Sequence, residues 1–402
     1  MKPPLRYITN LKFNYLAGIY IHIPFCKQAC YYCNFHFSTS TGSGREMIDS
    51  MKKEIEIRGS KAIPHPDNAT AVYPAEKEII KTIYFGGGTP SLLRKEDIDS
   101  ILLSVRQNYP IAKMAEVTLE ANPDDIRIQK LIDWKNAGIN RLSIGVQSFI
   151  DRDLKWMNRA HHAEQALHCI LLVARAGFTN FSIDLIFGTP GLTDQEWKQN
   201  VQTAIDLGVP HLSAYALTVE PKTALQKMIE IRKKENVSHE GQANQFMILM
   251  EMMQAAGYEH YEISNFARPG FRSRHNSSYW QNEKYIGIGP SAHSYNGVER
   301  SWNIANNQAY IRSLQQNILP AESETLNPSQ RLNEYIMTSL RTIEGLDLDF
   351  VENAFSPGEK ARIAKQLEKR IDKDDYFQQK SKIVLTQKGK LFADRIAVEL
   401  FV

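Results

Sequence analysis

The chain has 402 residues, 43% hydrophobic and 23% charged, with a formal net charge of +3. That length holds two or three domains of about 100–200 residues, the composition is that of a globular protein with an ample core, and the charge is too small to argue for nucleic acid. No run reaches the ~18 apolar residues of a membrane span, Met1–Tyr7 has no signal-peptide core, and four cysteines with three clustered are not a disulfide framework, so the expectation is a cytoplasmic protein.

Gly18-Ile19-Tyr20-Ile21-His22-Ile23 alternates and is β-branched, which predicts a strand running straight into a cysteine-bearing loop. Residues 45–58 read as a helix with Met47, Ile48, Met51, Ile55 and Ile57 on its apolar side, and residues 59–78, with Pro64, Pro66 and Pro74, as an irregular surface insertion. A second strand, Ile79–Phe85, ends in Gly86-Gly87-Gly88-Thr89-Pro90. A helix at 96–106 then leads to the strand Glu116–Glu120. Thereafter one phrase recurs, a helix closed by glycine and followed by a strand. It occurs as Ala137-Gly138 before Arg141–Val146, Ala176-Gly177 before Phe181–Ile186, and Leu207-Gly208 before His211–Leu217. Glycine just past a helix supplies the left-handed cap that returns the chain, and Thr193 with Glu196 forms a capping box for the last of these helices. Six β–α units in series predict an α/β fold with a parallel sheet, an open partial (β/α)6 barrel. In such barrels chemistry gathers at the C-terminal ends of the strands.

Residues 241–257 read as an apolar helix whose Met247, Met250, Met252 and Met253 are core, and whose Ala256-Gly257 repeats the turn phrase before Tyr258–Ile263. Residues 320–330 read as a linker. Beyond it Leu332, Ile336 and Leu340 mark a helix, 358–372 another, and Ile383–Leu385 a short strand before a final helix, a small winged-helix-like domain. Its charges alternate in sign, which favours a solvated face over a DNA-reading one. The expected division is 11–240 for the barrel core, 241–319 for an extension and 325–402 for the C-terminal domain.

Cys26, Cys30 and Cys33 are spaced C-x-x-x-C-x-x-C in the loop after the first strand. A loop this short aims three thiolates at one soft metal centre and leaves one position unfilled. Zinc would need a fourth ligand, for which His22 or His36 is available, but structural zinc loops usually arrive as paired C-x-x-C knuckles, so an iron–sulfur cluster is the better reading. Cys169 lies in an apolar helical stretch and reads as inert and buried.

The triplet after a first strand, with a glycine run after the second, resembles the radical S-adenosylmethionine (SAM) superfamily. The likeness narrows at Tyr20–Cys26, Gly86–Ser91, Arg141–Ser148, Ile183–Pro190 and His275–Trp280 to the branch containing oxygen-independent coproporphyrinogen III dehydrogenases and HemW-like haem chaperones. The resemblance implies a [4Fe–4S] cluster held by Cys26, Cys30 and Cys33, with SAM chelating the fourth iron and being split reductively. By matched position it implies that Tyr20 lies near the methionine part of SAM and that Gly87, Gly88 and Thr89 present backbone to its amino group. Glu120 and Asp184 would take its ribose hydroxyls, Arg159 its carboxylate, Gln147 a further polar contact, and Tyr32 would pack on adenine.

His275, in His275-Asn276-x-x-Tyr279-Trp280, matches the motif that the resemblance associates with haem, with Arg268, Arg272 and Arg274 as partners for propionates. The dehydrogenases carry a further cysteine two positions after the third, where this chain has Phe35, and a longer segment before the first cysteine, where this chain has 25 residues. Both departures favour a haem chaperone that passes haem to acceptor apoproteins, membrane respiratory enzymes among the candidates, with a homodimer as one allowed assembly. The other reading is an enzyme that decarboxylates coproporphyrinogen III; a zinc-stabilised nucleic-acid module rests on the C-terminal pattern alone.

Overall fold

A computed structural model describes residues 18–60 and 79–402, with two short strands between them. The segment before Gly18, where Met1–Tyr7 and the start of the 11–240 division fall, and Pro66 and Pro74 lie outside the described residues. Chain order begins β1 (Gly18–Ile23), α1 (Gly44–Gly59), β2 (Ile63–His65), β3 (Asn68–Tyr73), β4 (Ile80–Gly87), α2 (Lys95–Asn108), β5 (Ile111–Ala121) and α3 (Ile128–Ala137). It continues β6 (Arg141–Gln147), α4 (Asp151–Met157), α5 (Ala163–Arg175), β7 (Phe181–Phe187), α6 (Asp194–Asp206) and β8 (His211–Ala216). Then come α7 (Ala224–Glu230), α8 (His239–Ala255), β9 (Glu259–Glu262), β10 (Asn265–Ala267), α9 (Arg274–Trp280), β11 (Tyr285–Ile288), β12 (His293–Tyr295), β13 (Glu299–Asn303), α10 (Asn307–Gln315) and β14 (Ala321–Thr325).

β1, β4, β5, β6, β7 and β8 lie side by side and parallel, the six expected units. The sheet does not close. β11 joins β1 in parallel and β12, β13 and β14 continue antiparallel, while β10 and β9 extend the far edge antiparallel, making twelve strands. Three expectations change here. The phrase at Ala256-Gly257 leads into a hairpin, because only Ile263 and Ser264 separate β9 from β10 and so short a link permits only antiparallel pairing. The stretch read as a linker contains β14, which pairs along β13 from Ala321↔Asn303 to Thr325↔Glu299. The insertion read as irregular contains β2 and β3, paired with each other as a separate two-stranded sheet.

Alternation along the strands explains what the barrel encloses. Leu142, Ile144, Ile183 and Leu185 face outward into the core beneath the helices. Arg141, Ser143, Ser182 and Asp184 occupy the opposite face by the period of two. They give the lumen a polar lining, in which Arg141 Nη2 donates to Ser182 Oγ at 3.0 Å and the Ser143 and Ser182 hydroxyls meet at 3.0 Å. Gly138, Gly177 and Gly208 follow their helices with φ of 103°, 77° and 68°, the left-handed turn that the repeated phrase requires. The Thr193 and Glu196 capping box forms, with Glu196 N donating to Thr193 Oγ1 at 3.2 Å and Thr193 N to Glu196 Oε2 at 2.9 Å.

A separate apolar cluster, including Leu332, Ile336, Leu340, Ile363, Leu367, Ile383 and Ile396, forms the C-terminal module. It comprises α11 (Pro328–Leu340), β15 (Leu346–Asp347), α12 (Leu348–Ala354), α13 (Glu359–Arg370), β16 (Tyr376–Gln379), β17 (Lys382–Leu385), α14 (Gln387–Lys390) and α15 (Ala393–Leu400), with the strands in the order β15-β17-β16. Among the described residues no helix is long and apolar enough to cross a membrane.

Candidate metal and cofactor site

The loop after β1 is fastened on several sides. Cys26 N donates to Ser38 O at 3.0 Å and Ser38 N to Pro24 O at 2.9 Å. From the glycine run after β4, Gly88 N donates to Ile23 O at 2.8 Å and Thr89 N to Phe25 O at 2.7 Å. A Cβ on Gly88 would stand 2.6 Å from Phe25 O, so glycine is what lets the two loops touch. The second half of the loop is held from the end of α4, where Asn158 Nδ2 donates to Ala29 O at 2.7 Å and Gln28 Nε2 to Asn158 O at 2.9 Å. Lys27 bridges Asp124, at 2.8 Å, and Asp125. The three cysteines are thereby fixed before any ligand arrives.

All three thiols are free and half-buried. Burial pushes Cys33 up to about 11 and also raises Cys26, so each keeps its proton until a soft cation replaces it. Two side chains already donate to the sulfurs: Thr89 Oγ1 to Cys26 Sγ and Arg159 Nη1 to Cys30 Sγ, both at 3.4 Å. Thiolates on one zinc ion, at a Zn–S distance of about 2.3 Å, lie roughly 3.8 Å apart. Among the described residues no three His, Cys, Asp or Glu side chains come together in a group able to share one ion. The proposed zinc partners are also occupied: His22 Nε2 donates to His36 O at 2.8 Å, and His36 Nε2 lies 2.7 Å from Asn307 Oδ1.

The thiols open into a cavity of about 460 Å³ at the C-terminal mouth of the barrel, whose wall includes Tyr32, Gly87, Gly88, Thr89, Glu120, Gln147, Arg159 and Asp184. Arg159 anchors this wall: its Nη2 donates to Asn122 Oδ1 at 2.7 Å and to Gly145 O at 2.8 Å. Its Nε is buried with no acceptor, an arrangement that fits an anionic ligand group missing from the site. Burial raises Glu120 to about 7, with the Asp184 charge adding to it, and burial raises Asp184 to about 6. Gln147 sits in the left-handed region with φ 67°, a conformation that costs a non-glycine residue about 1–2 kcal/mol and here re-aims the end of β6.

Tyr20, expected near SAM, and His275, expected as a haem ligand, do not line this cavity. Tyr20 is absent from the cavity wall; its ring stacks on Tyr84 at 6.1 Å between centroids, and its hydroxyl donates to His22 Nδ1 at 3.2 Å. His275 lies at the opposite end of the lumen, where α9 closes the floor. It is 1% exposed, with Nδ1 2.7 Å from Thr82 Oγ1, Nε2 2.9 Å from Tyr279 OH, and its ring stacked on Tyr84 at 5.0 Å. Burial and the Arg141 charge hold it near 3, hence neutral. Neither nitrogen is open to an iron unless α9 leaves the floor. Of the arginines expected beside haem, Arg272 is committed to Glu259 at 3.2 Å and Glu344 at 2.7 Å, and Arg274 faces Glu116 at 3.8 Å. Arg268 stands over the Tyr258 ring at 5.4 Å. Cys169 is buried in α5 and pushed up to about 12 by that burial, the inert thiol expected.

Sequence reasoning missed Asn122 and Tyr84. Asn122 holds the Arg159 guanidinium, and Tyr84 OH donates to Glu120 Oε1 at 2.7 Å. Tyr84 stands two residues before Gly86 on the lumen face, so the strand period would have found it; Asn122 needed knowledge of its neighbour across the sheet.

Residues 20–204 match the radical SAM superfamily. The haem chaperone HemW of Bacillus subtilis is 32% identical over 384 residues, covering 95% of this chain and 98% of that protein. HemW of Mycobacterium tuberculosis is 33% identical over 94% of this chain and 93% of its own length, and HemW of Escherichia coli 36% identical over 69% of each. The chain belongs to the HemW family of the radical SAM superfamily. That superfamily implies a [4Fe–4S] cluster and SAM, for which the thiol triplet and the unpartnered Arg159 Nε are fitting hosts. The solved coproporphyrinogen III oxidase HemN of Escherichia coli, a radical SAM enzyme, shares the fold, with a TM-score of 0.80 over 96% of this chain and 90% of that one at 22% identity.

Proposed function

We propose that this member of the HemW family is a haem chaperone, binding haem and passing it to acceptor apoproteins from a cytoplasmic position. The observation that carries the reading is the near full-length match, 32% identity over 98% of a relative named for that task. A reduced cluster with SAM supplies one-electron chemistry when both are bound. Cys26, Cys30 and Cys33 would hold the cluster as thiolates, with Arg159 Nη1 donating to Cys30 Sγ. Because the N–H groups of Gly88 and Thr89 are spent on the cysteine loop, it is carbonyl oxygens of Gly87–Thr89 that would meet the SAM amino group. Arg159 Nε would meet its carboxylate, Glu120 and Asp184 would accept from its ribose hydroxyls, Gln147 would add a polar contact, and Tyr32 would cover the adenine. Membrane respiratory enzymes are the acceptors we propose first, since they require haem; a homodimer is compatible with the reading.

His275 would reach haem iron only after its bond to Tyr279 breaks and α9 moves. The dehydrogenase reading has fold likeness alone behind it. One anaerobic experiment tests the reading: the chain, with its cluster reconstituted, is given reductant, SAM and coproporphyrinogen III, and in parallel is titrated with haem. Stoichiometric haem binding without protoporphyrinogen IX is expected. Protoporphyrinogen IX formed over many turnovers would overturn the chaperone reading.

A further inference from the structure

Asn122 joins two of the three cysteines through side chains from separate loops. Its Oδ1 accepts from Arg159 Nη2 at 2.7 Å, and Arg159 Nη1 donates to Cys30 Sγ at 3.4 Å. On its other side Nδ2 lies 3.4 Å from Thr89 Oγ1, and Thr89 Oγ1 lies 3.4 Å from Cys26 Sγ. Chemistry dictates the direction of every bond in this chain. A guanidinium only donates, so the amide turns its oxygen to Arg159 and its NH2 to Thr89. Thr89 then gives a lone pair to Asn122 and keeps its one proton for the Cys26 sulfur. Cys33 stands outside the chain, with the backbone N–H of Phe35 acting on it instead.

The local sequence holds the amide in place. Asn122 precedes Pro123, which restricts it to extended backbone, and it has φ −89° and ψ 145°. Its N–H donates to Ser91 Oγ at 3.3 Å, and Ser91 Oγ to Asp125 Oδ2 at 2.7 Å. On the neighbouring strand β6, a Cβ on Gly145 would stand 3.2 Å from Arg159 Nη2 and 3.5 Å from Asn122 Oδ1, so glycine there spares the pair a shift. Asn122 and Arg159 both line the cavity into which the thiols open.

We propose that Asn122 is a positioning residue for the metal centre. Through Thr89 and Arg159 it aims one donor at each of two sulfurs, and so raises the reduction potential of the cluster they hold. Hydrogen bonds to the sulfurs are among the properties that set such potentials, because a donor stabilises the more negative, reduced state over the oxidised one. The role presupposes that Cys26, Cys30 and Cys33 hold a [4Fe–4S] cluster, as the superfamily implies.

The test is a redox titration of the reconstituted full-length chain without SAM, followed by electron paramagnetic resonance, with iron content and far-UV circular dichroism measured on every sample. Thr89→Val removes the donor at Cys26 and is expected to move the one-electron reduction equilibrium about tenfold toward the oxidised cluster, about 59 mV. Thr89→Ser keeps the hydroxyl and should titrate as wild type does. Asn122→Asp still accepts from Arg159 but cannot donate, so Thr89 turns its proton away from Cys26 and the potential should again fall. That fall should shrink in a Thr89→Val background, where the bond is already gone, whereas a bare effect of the added charge would persist. Should Asn122→Asp load no iron, Asn122→Ala takes its place with the same two expectations. Wild-type potentials in the Asn122 variant, or an undiminished shift in the Thr89→Val background, would overturn the role of Asn122 and leave the cluster assignment standing. Wild type without iron would overturn the cluster assignment itself.

Discussion

The two ends of the barrel lumen hold similar residues in opposite states. At the mouth, Arg159 keeps a buried Nε without a partner, two carboxylates sit with raised affinity for protons, and three thiols await a cation. At the floor, the His275 ring is bonded at both nitrogens, its backbone N donates to Glu116 Oε1 at 3.0 Å, and Tyr84 stacks across it. Satisfied polar groups in a closed space hold a fold together, whereas unsatisfied ones around an open space are prepared for a ligand. Motif likeness alone does not distinguish the two; the partners of Arg159 and of His275 do, although Arg141 Nε and Nη1 near the floor are also buried without a partner. As it stands, the His275 ring is tied into the barrel floor at both nitrogens, and in such barrels the N-terminal face generally serves stability.

The largest effect that could break this contrast is at the mouth. Cys30→Ala should abolish stoichiometric iron and acid-labile sulfide after reconstitution while far-UV circular dichroism stays unchanged, because the loop is held by backbone bonds and not by its thiols. Full iron loading in the variant would refute the assignment. At the floor, His275→Ala removes a buried ring and strands Thr82 and Tyr279, and should cost about 2–4 kcal/mol in urea unfolding of the cluster-free chain. An unchanged midpoint would mean that α9 is not a structural plug.

Arg159→Lys sharpens the mouth. Lysine keeps the charge but cannot present Nε while holding Asn122 and Gly145, so SAM affinity should fall about ten- to a hundredfold by calorimetry with the cluster still assembled. Equal affinity would place the SAM carboxylate elsewhere.

A pH experiment follows from Glu120, raised by burial from the ordinary 4.5 to about 7. Between those values the folded chain binds a proton that the unfolded chain has released. The stability this group supplies is therefore present at the acid end and lost as pH rises through 7. In the absence of SAM, wild type should lose about 1–3 kcal/mol relative to Glu120→Gln between pH 5 and pH 8; a pH-independent difference would show that the carboxyl is solvated.

The smallest effect is expected at Phe35, which is 66% exposed. Phe35→Cys should change stability by less than about 0.5 kcal/mol and yield no protoporphyrinogen IX from coproporphyrinogen III. Product formation would make that one position the switch between the two activities.

Much of this molecule was legible in one dimension because its rules are local. The C-x-x-x-C-x-x-C spacing, the glycine that ends each crossover helix and the period of two along each strand are set by backbone geometry within a few residues. They were enough for the six parallel strands and the cysteine loop. The contents of the mouth were legible too, since strand ends in such a barrel share one edge. What lay beyond reach depended on contacts between distant segments. β14 was taken for a linker because an edge strand borrows its hydrogen bonds from β13, some twenty residues earlier. Asn122 gained its role from Arg159, 37 residues on, and the His275 ring is held by Thr82, 193 residues before it. Sequence determined which residues carry chemistry; tertiary packing decided which of them were left without partners, because burial and pairing are properties of neighbours that the chain brings together only on folding.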